Sequence, residues 1–501
     1  FFPLKFILIL VKFVSMRKMR SLFAVLVGLL LSCITAYPQT IHYSNDIKFG
    51  FRKNEFAIAG RTDHRNITYR TDAEVHYLDI FSDSMTQIAV VELDFLPRNA
   101  QTLNFFTTAQ RIILLYQYAK SGIQYAMMAQ MDTDGRLQQQ PLKLDSVKSS
   151  SRLFAGNNAP FDFVIADNKN YFSVFSRFLD GKQEYLNTKL FQSDGKPLGN
   201  KDVLLSADKP VYPRQFVLNN KGTLFFTAHL NSDREHRSDF ADIYLIDFKE
   251  DRFSRHPVPL NGSWIEQLYI QADQETEAVD YTAFYTTGRK GNIEGVIYGR
   301  VFLEDDKAPT FKQNKFSPVF LSKVSTRNKK KVFENFDIRN VIVKKDGGIM
   351  LIAENYYITT RTSVPAAGFY SSYYGMTPSR VITEYNYGDI LIINFDGQGN
   401  MVWDNIIRKS QYSQEDKGLF SSFAFMNTGR YLVFVYNDYT YNKNSLTVAA
   451  IDNQGQTNYK HVKISDRPYD WVPKYALQTS ALSLLIPCFR SNTITFAAMY
   501  L

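Results

Sequence analysis

One stretch of the sequence, Asp132-Thr133-Asp134-Gly135, begins like the calcium-binding loop of an EF-hand. A complete loop of that type supplies further oxygen ligands and ends with a bidentate glutamate at its twelfth position. Counted from Asp132, the twelfth residue is Lys143, whose positive charge would repel a cation. We therefore interpret the recurring Asp and Gly as β-turn residues, with the aspartate bonding its own backbone, and predict no metal site.

Catalytic motifs are absent from the sequence. The seven histidines are scattered, without the HExxH or His/Cys spacing of a zinc site. His229 follows an apolar run and is predicted to be a core residue. No GxSxG, Walker A or GxGxxG loop follows a strand and opens a helix. A glycosidase needs only two carboxylates about 5 to 10 Å apart, so enzymatic activity stays open, although Asp404, Glu415 and Asp416 read as solvated loop charges.

A tyrosine-rich segment between Glu354 and Gly388 is the best candidate for a binding site. It contains Tyr356, Tyr357, Tyr370, Tyr373, Tyr374, Tyr385 and Tyr387. Tyrosine offers a large contact area with few rotatable bonds and a polar tip, which suits protein or glycan ligands. We predict that Tyr370, Tyr373 and Tyr374 are exposed and bind a partner, together with Trp403. The alternative is that these tyrosines pack against their own sheet.

Repeated strand–turn units must position these residues. The clearest copy is GDILIINFDGQGNMVW, from Gly388 to Trp403, and weaker copies recur along the chain. Equivalent turn positions are separated by 51, 60, 57, 54, 93 and 56 residues, so one unit contains an insertion. These positions are Asp83, Asp134, Asp194, Asp251, Asp305, Gln398 and Gln454. Short apolar strands joined by Asn-Gly and Asp-Gly type turns predict antiparallel hairpins and little helix.

Units of about 55 residues with three or four strands favour an all-β fold, a β-propeller. We predict a single domain over residues 37–501, with eight blades preferred and seven as the alternative. The units are 43–90, 100–140, 158–202, 212–256, 264–312, 337–407, 419–460 and 470–501. The last unit is short, so residues 39–50 are expected to add its outer strand. The insertion, 355–388 in the sixth unit, is predicted to be a projecting hairpin. An outer-membrane barrel fits less well, because the strands do not alternate cleanly.

The N-terminal sequence has the pattern of an exported protein. Residues 1–15 read as an upstream extension, and residues 16–36 as a signal peptide with a basic start and an apolar centre. We predict cleavage of the signal peptide after Ala36. The alternative is that residues 30–33 are a lipobox and that Cys33 is lipidated. Without residues 1–36 the net charge falls from +9 to +4, and no basic cluster predicts nucleic-acid binding. Cys488 would then be the remaining cysteine, so no internal disulfide is predicted.

The stretch from about 339 to 438 resembles a group of uncharacterised exported proteins of Bacteroidota. The similar runs are KKDGGIMLIAENYYITT, GDILIINFDGQGNMVWDNIIRKSQYSQEDKGLFSSFAF and VYND. Trp403 matches the group, whereas Ile407-Arg408-Lys409 replaces its Ile-Pro-Lys and Asp416-Lys417-Gly418 replaces an acidic-Gly-Gly. The resemblance implies an exported Gram-negative protein and transfers no catalytic residue. At the fold level Asp396 to Trp403 is similar to the turns of quinoprotein-like propellers but is one residue short, and no quinone or other cofactor is predicted.

Together these features predict a monomeric binding or scaffold module in the periplasm or at the outer surface of a Gram-negative bacterium. Its partner would be an envelope protein or a glycan, and a lipid on Cys33 would be its contact with the membrane. The alternative is a hydrolase or lyase that acts on polysaccharide at the central channel. An enzyme should bring carboxylates together with Arg or His at one mouth of the channel, whereas a binding module should expose an aromatic patch.

Overall fold

A computed structural model describes residues 40–50, 54–148, 160–180, 183–206, 211–230, 237–303, 307–324, 333, 335–363, 380–438, 445–463 and 469–501. The predicted signal peptide, Cys33, and the three tyrosines at positions 370, 373 and 374 lie outside these residues. Within them the chain is almost entirely β-strand, with a single seven-residue helix, α1 (Pro318–Val324), and a 3₁₀ turn at Pro473–Tyr475. No helix of the described residues has the length and apolar character to cross a membrane.

The strands of the described residues form eight antiparallel sheets. Two short N-terminal strands, β1 (Thr40–Tyr43) and β2 (Ile47–Lys48), belong to the last sheet. The first sheet is β3 (Phe56–Arg61), β4 (Arg65–Asp72), β5 (Val75–Ser82) and β6 (Gln87–Glu92). The second is β7 (Gln101–Thr107), β8 (Ile112–Lys120), β9 (Ile123–Met131) and β10 (Leu142–Lys148). The third is β11 (Phe161–Ile165), β12 (Tyr171–Asp180), β13 (Gln183–Gln192) and β14 (Pro197–Ser206). The fourth is β15 (Val211–Leu218), β16 (Leu224–Leu230), β17 (Ala241–Asp247) and β18 (Arg252–Pro257).

The second half of the chain continues this pattern with additional strands. The fifth sheet is β19 (Trp264–Ile265), β20 (Tyr269–Asp273), β21 (Ala278–Thr286), β22 (Gly295–Phe302) and β23 (Thr310–Lys315). The sixth is β24 (Phe336–Val343), β25 (Ile349–Ser363), β26 (Arg380–Phe395), β27 (Met401–Ile407) and β28 (Gln411–Gln414). The seventh is β29 (Ala424–Asn427), β30 (Leu432–Asn437), β31 (Ser445–Ile451) and β32 (Thr457–Lys463). The eighth is β33 (Asp470–Trp471), β34 (Leu477–Ser480), β35 (Ser483–Arg490) and β36 (Thr493–Tyr500), with β1 and β2.

Burial changes across each sheet in the way that its sequence dictates. The second and third strands contain most of the buried residues, and every residue of β21 is buried. The fourth strands alternate instead, so that β6 and β18 bury every second residue in part and expose the others. Runs buried on both faces need a neighbour on each side. The sheets must therefore pack face to face, with their fourth strands at the outer rim.

Each pair of consecutive sheets shares one apolar core. The described residues form eight buried clusters, and seven of them draw their residues chiefly from two sheets that follow one another in the chain. The eighth cluster joins the last sheet to the first, for example Phe496 of β36 to Phe81 of β5. Consistent with this order, β34 of the eighth sheet contacts β3 of the first. The architecture is all-β and β-propeller-like, as the repeat predicts.

Each predicted unit overlaps one observed sheet, but β10 lies beyond the predicted end of the second unit at 140, and β28 lies beyond that of the sixth at 407. The N-terminus differs as well. Residue 43, where the first unit was predicted to begin, belongs to β1, and β1 pairs with β36 from Thr40↔Tyr500 to Tyr43↔Ala497. The N-terminal segment thus adds the outer strand that the short last unit lacks, as expected from the sequence. The turn interpretation is also confirmed at Asp132, whose Oδ1 accepts hydrogen bonds from the backbone N–H of Asp134 and Arg136 at 2.9 Å. The described residues contain no group of His, Cys, Asp and Glu able to hold a metal ion.

Candidate functional site

The sixth sheet carries a three-stranded extension that no other described sheet has. Strands β25 and β26 stay paired as far as Ser363↔Arg380, well past the end of β24. The short strand β28 pairs with β26 from Glu384↔Gln414 to Tyr387↔Gln411. We call this part of the sheet the extension; it consists of residues 356–363, 380–387 and 411–414. Its strands form because Thr, Ile, Val and Tyr, which favour extended backbone, dominate both arms.

One face of the extension is polar and centred on Glu384. Its carboxylate accepts hydrogen bonds from Tyr412 Oη at 2.7 Å, Arg361 Nε at 2.7 Å and Thr359 Oγ1 at 3.1 Å. These residues share a face, because Thr359 is directly opposite Glu384 and Arg361 and Tyr412 are its diagonal neighbours on the two adjacent strands. The hydrogen bond from Tyr412, followed by those from Arg361 and Thr359, keeps the pKa of Glu384 below its usual value. This face is therefore already internally paired.

The opposite face is apolar and open to solvent. Ile358, 51% exposed, lies opposite Tyr385, and Val381, 59% exposed, lies further along the same face, beyond the Thr360–Thr383 pair. Exposed apolar residues along one face of a projecting hairpin are a feature of binding surfaces. At the base of the same face the rings of Tyr356 and Tyr387 pack against each other, with their centroids 4.6 Å apart. The apolar face thus runs from the tip side of the extension down to the body of the protein.

A buried cluster of charged groups fixes the base of the extension. Glu354 on β25 is fully buried, and its Oε1 lies 2.7 Å from Lys409 Nζ, a side chain that is 2% exposed. The other carboxylate oxygen accepts hydrogen bonds from Ser422 Oγ at 2.7 Å and from Arg339 Nε at 3.1 Å. Lys409 also donates to Gln411 Oε1 at 3.0 Å. Burial lowers the pKa of Lys409, and the charge of Glu354 opposes this.

This cluster ties together elements that are distant in the chain. It connects β24 and β25 to the segment after β27, to β28, and through Ser422 to the entry of the seventh sheet. The guanidinium of Arg339 lies 5.1 Å from the ring centroid of Tyr356, and the ammonium of Lys409 lies 5.8 Å from that of Tyr387. The tyrosines at the base are therefore held rigidly, and they orient the extension relative to the sheets.

A second group of charges lines the first strands of the fifth and sixth sheets. Glu266, Asp337 and Arg237 surround a pocket of about 50 Å³, together with Tyr269. Burial raises the pKa of the Asp337 carboxyl, the charges of Glu266 and Glu354 add to the effect, and Arg339 opposes it. Two carboxylates that line the same pocket are what a general acid and base pair requires.

Sequence reasoning missed this group, although the sequence contains a sign of it. Four units have, within or directly beside their first strand, a buried apolar or aromatic residue followed by an acidic one: Phe161-Asp162, Ile265-Glu266, Phe336-Asp337 and Tyr469-Asp470. The first residue fills the core between two sheets, so the next must point away from it. A recurring carboxylate at this position indicates a common acidic lining of the first strands.

Of the residues predicted to bind a partner, Trp403 lies in the described part of the chain. Its Nε1 donates to the carbonyl of Asn453 at 3.2 Å, and its ring lies so close to Gly455 that a Cβ there would approach it to 2.8 Å. Trp403 therefore joins the sixth sheet to a turn of the seventh. The three tyrosines predicted at the tip, Tyr370, Tyr373 and Tyr374, lie outside the described residues.

Of the three acidic residues interpreted as solvated loop charges, Asp404 differs, whereas Glu415 is exposed and Asp416 half-buried in the loop after β28. Asp404 forms an ion pair with Lys323 of α1 at 2.9 Å and its side chain is 17% exposed. Glu415 is bonded to Thr383 of β26, both through its side chain and through its backbone N–H at 3.0 Å. Asp416 accepts a hydrogen bond from the N–H of Gly418 at 2.8 Å. These residues fasten the extension and the loop after it, because the chain returns past the hairpin at this point.

His229 is a core residue, as predicted, and gives the fold a pH dependence. It is 5% exposed, and burial together with the charge of Arg214 lowers its pKa from 6.5 to about 4. The folded protein therefore binds this proton more weakly than the unfolded chain. Stability should be complete above about pH 6.5 and should fall by up to about 3 kcal/mol as the pH decreases to 4. We expect urea denaturation of a His229→Leu variant to show a weaker loss between pH 7 and 4.5.

The matched control for this prediction is His64→Leu, whose histidine side chain is 86% exposed. It should keep the pH dependence of the parent protein. Burial also lowers the pKa of His76, so some dependence should persist in His229→Leu. Identical pH profiles for His229→Leu and the parent protein would contradict the assignment.

No protein-family profile and no curated protein matches this chain in sequence. Among solved structures, the chain is similar to the uncharacterized protein lmo1340 from Listeria monocytogenes EGD-e, at 9% identity and a TM-score of 0.38, over 77% of this chain and 89% of that one. It is also similar to prolyl oligopeptidase B from Galerina marginata, at 9% identity and a TM-score of 0.40, over 87% and 55%. Dipeptidyl peptidase 4 of Porphyromonas gingivalis matches at 11% identity and a TM-score of 0.40, over 86% and 58%.

The chain spans little more than half the length of these two peptidases. Similarity at these scores transfers neither an activity nor a substrate. The extension and the charged groups at its base are therefore the features from which a function can be inferred.

Proposed function

We propose that this protein is an exported eight-bladed β-propeller that serves as a binding or scaffold module at the envelope of a Gram-negative bacterium. The eight sheets and their eight shared cores support eight blades over the alternative of seven. The signal-peptide pattern of residues 16–36 and the resemblance to exported Bacteroidota proteins support export. Lipidation of Cys33 is the alternative mode of processing. The expected partner is an envelope protein or a glycan, bound by a monomer.

The apolar face of the extension is the observation that carries this proposal. It projects beyond the packed sheets, exposes Ile358 and Val381, and is held rigid at its base by the Glu354–Lys409 cluster. A preorganised surface loses little conformational entropy on binding, so such a face can gain affinity from burial of its side chains. The predicted role of Tyr370, Tyr373 and Tyr374 in binding a partner is part of the same proposal.

The test compares capture of partners from envelope extracts by the intact protein and by an Ile358→Ser/Val381→Ser variant. The matched control is Ile88→Ser/Val90→Ser, which removes two similarly exposed apolar side chains, 49% and 47% exposed, from the outer strand β6. We expect at least tenfold weaker recovery with the extension variant and unchanged recovery with the control. Equal recovery of the same partners by all three proteins would refute the proposal.

The pocket between Glu266 and Asp337 favours a second candidate function, hydrolysis or elimination on a polysaccharide. Asp337, whose pKa burial raises, would act as the general acid, and Glu266, which lines the same pocket, as the base. Release of reducing ends from a panel of polysaccharides should then fall at least a hundredfold in Asp337→Asn. Asp162→Asn, which changes an equivalent carboxylate on β11, should keep full activity. A parent protein without activity on the panel would remove this candidate.

A further inference from the structure

One edge of the extension is a strand without a neighbour. Strand β25 pairs with β24 only as far as Phe336↔Asn355, and the last bond on that side runs from the N–H of Tyr356 to the carbonyl of Asn335 at 2.7 Å. From Tyr357 to Ser363 no described residue pairs with this edge. Residues 357–362 are all exposed. The opposite edge of the extension is covered by β28 and by the hydrogen bonds between Glu415 and Thr383.

The hydrogen bonds at this edge identify which backbone groups face outward. Because the N–H of Tyr356 points to the β24 side, those of Ile358, Thr360 and Thr362 point the same way, at a period of two. The other side of the hairpin agrees, since the carbonyl of Thr383 points away from β25 and towards Glu415. Three N–H groups and three carbonyls therefore stand in a row, free of the β25–β26 ladder.

This edge lacks the features that normally block strand addition. Natural edge strands are shortened, interrupted by proline or bulges, or protected by inward-pointing charges and lysines. Residues 357–362, Tyr-Ile-Thr-Thr-Arg-Thr, contain no proline or lysine, and the β25–β26 register is regular from Tyr356 to Ser363. The side chain of Arg361 is bound to Glu384 on the polar face. The outward-facing N–H and carbonyl groups of Ile358, Thr360 and Thr362 are therefore accessible.

We propose that this edge binds an extended polypeptide of a partner protein by β-strand addition, an inference that rests on the proposed binding function of the extension. The free N–H and carbonyl row is complementary to another polypeptide backbone, whereas a glycan cannot continue a regular ladder. Side chains of the added strand would alternate between the two faces. Those beside Ile358 and Thr360 would be apolar or β-branched, and those beside Thr359 and Arg361 would be polar.

The probe for this proposal is a synthetic eight-residue peptide of alternating valine and threonine with a terminal lysine for solubility. Thr360→Pro removes the central outward N–H but leaves the β25–β26 ladder intact, because that N–H takes no part in it. Thr360→Ala removes the side chain alone and is the control. We expect the peptide to bind the parent protein and Thr360→Ala within twofold of each other and Thr360→Pro at least tenfold more weakly. Amide exchange at Ile358, Thr360 and Thr362 should slow when the peptide is bound.

The outcomes separate this inference from the proposed function. If Ile358→Ser/Val381→Ser loses its envelope partner while Thr360→Pro keeps it, the extension binds through side chains and strand addition is wrong. No peptide binding at millimolar concentration also overturns it. A parent protein that sediments as a dimer, and as a monomer after Thr360→Pro, would show that a second copy occupies the edge instead. Parallel loss of peptide and envelope partner in Thr360→Pro would support the inference.

Discussion

Replacement of Glu354 by leucine is expected to lower the free energy of unfolding by about 3 to 5 kcal/mol. The substitution leaves the Lys409 ammonium, 2% exposed, without the carboxylate that lies 2.7 Å away. It also removes the acceptor of Ser422 Oγ and Arg339 Nε. Urea denaturation and amide exchange along β28 should both report the loss, because the cluster holds the base of the extension. The loss of stability should become smaller as the pH rises. Burial already lowers the pKa of Lys409, and burial of a neutral amine costs less free energy than burial of an ammonium.

The companion variants distinguish a buried charge from a general packing defect. Lys409→Met should cost less than Glu354→Leu, because Glu354 keeps its bonds to Arg339 and Ser422. The double variant should recover at least about 2 kcal/mol relative to the sum of the single effects, since it buries no unpaired ammonium. Additive losses in this double-mutant cycle would show that the two charges do not stabilise one another.

The fold was largely predictable because its repeat depends on local sequence. Turn residues such as Asp132 and Gly135 act through their own backbone, so a strand–turn unit can be recognised without knowledge of the rest of the chain. One boundary error occurs where distant segments meet. Residue 43 was assigned to the first unit because it is near it in sequence, yet β1 completes the last sheet through pairing with β36.

The candidate site was predictable only in part, for the same reason. The tyrosine-rich insertion indicated a hairpin, but the partners that orient it are separated widely in sequence: Glu354 from Lys409, and Arg339 from both. No local pattern couples these residues, because their contact depends on the register of β24, β25 and β26. Trp403 was selected for its residue type, and its position against Gly455 follows from how the sixth sheet packs on the seventh.

Loss of the Asp46 carboxylate should have the second-largest effect on stability. Asp46 lies between β1 and β2, and its oxygens accept hydrogen bonds from Tyr469 Oη at 3.0 Å, from Thr495 Oγ1 at 2.6 Å and from Arg490. All three donors belong to the eighth sheet or the segment that leads into it. Asp46→Ala leaves them without this acceptor at a side chain that is 24% exposed. We expect the free energy of unfolding to fall by about 2 to 4 kcal/mol, with faster amide exchange along β36.

The control is Asp83→Ala, since Asp83 also pairs with an arginine, Arg61 at 2.8 Å, but is 46% exposed. An exposed ion pair contributes at most about 1 kcal/mol, so this variant should unfold almost like the parent protein. Equal stability of the two variants would contradict the role assigned to Asp46. A selective loss in Asp46→Ala, with exchange confined to β36 and its neighbours, would instead locate the weakest junction of the fold where the N-terminal segment joins the last sheet. That is the junction expected to open first, because hydrogen bonds between the two ends of the chain must overcome the largest loop-closure entropy.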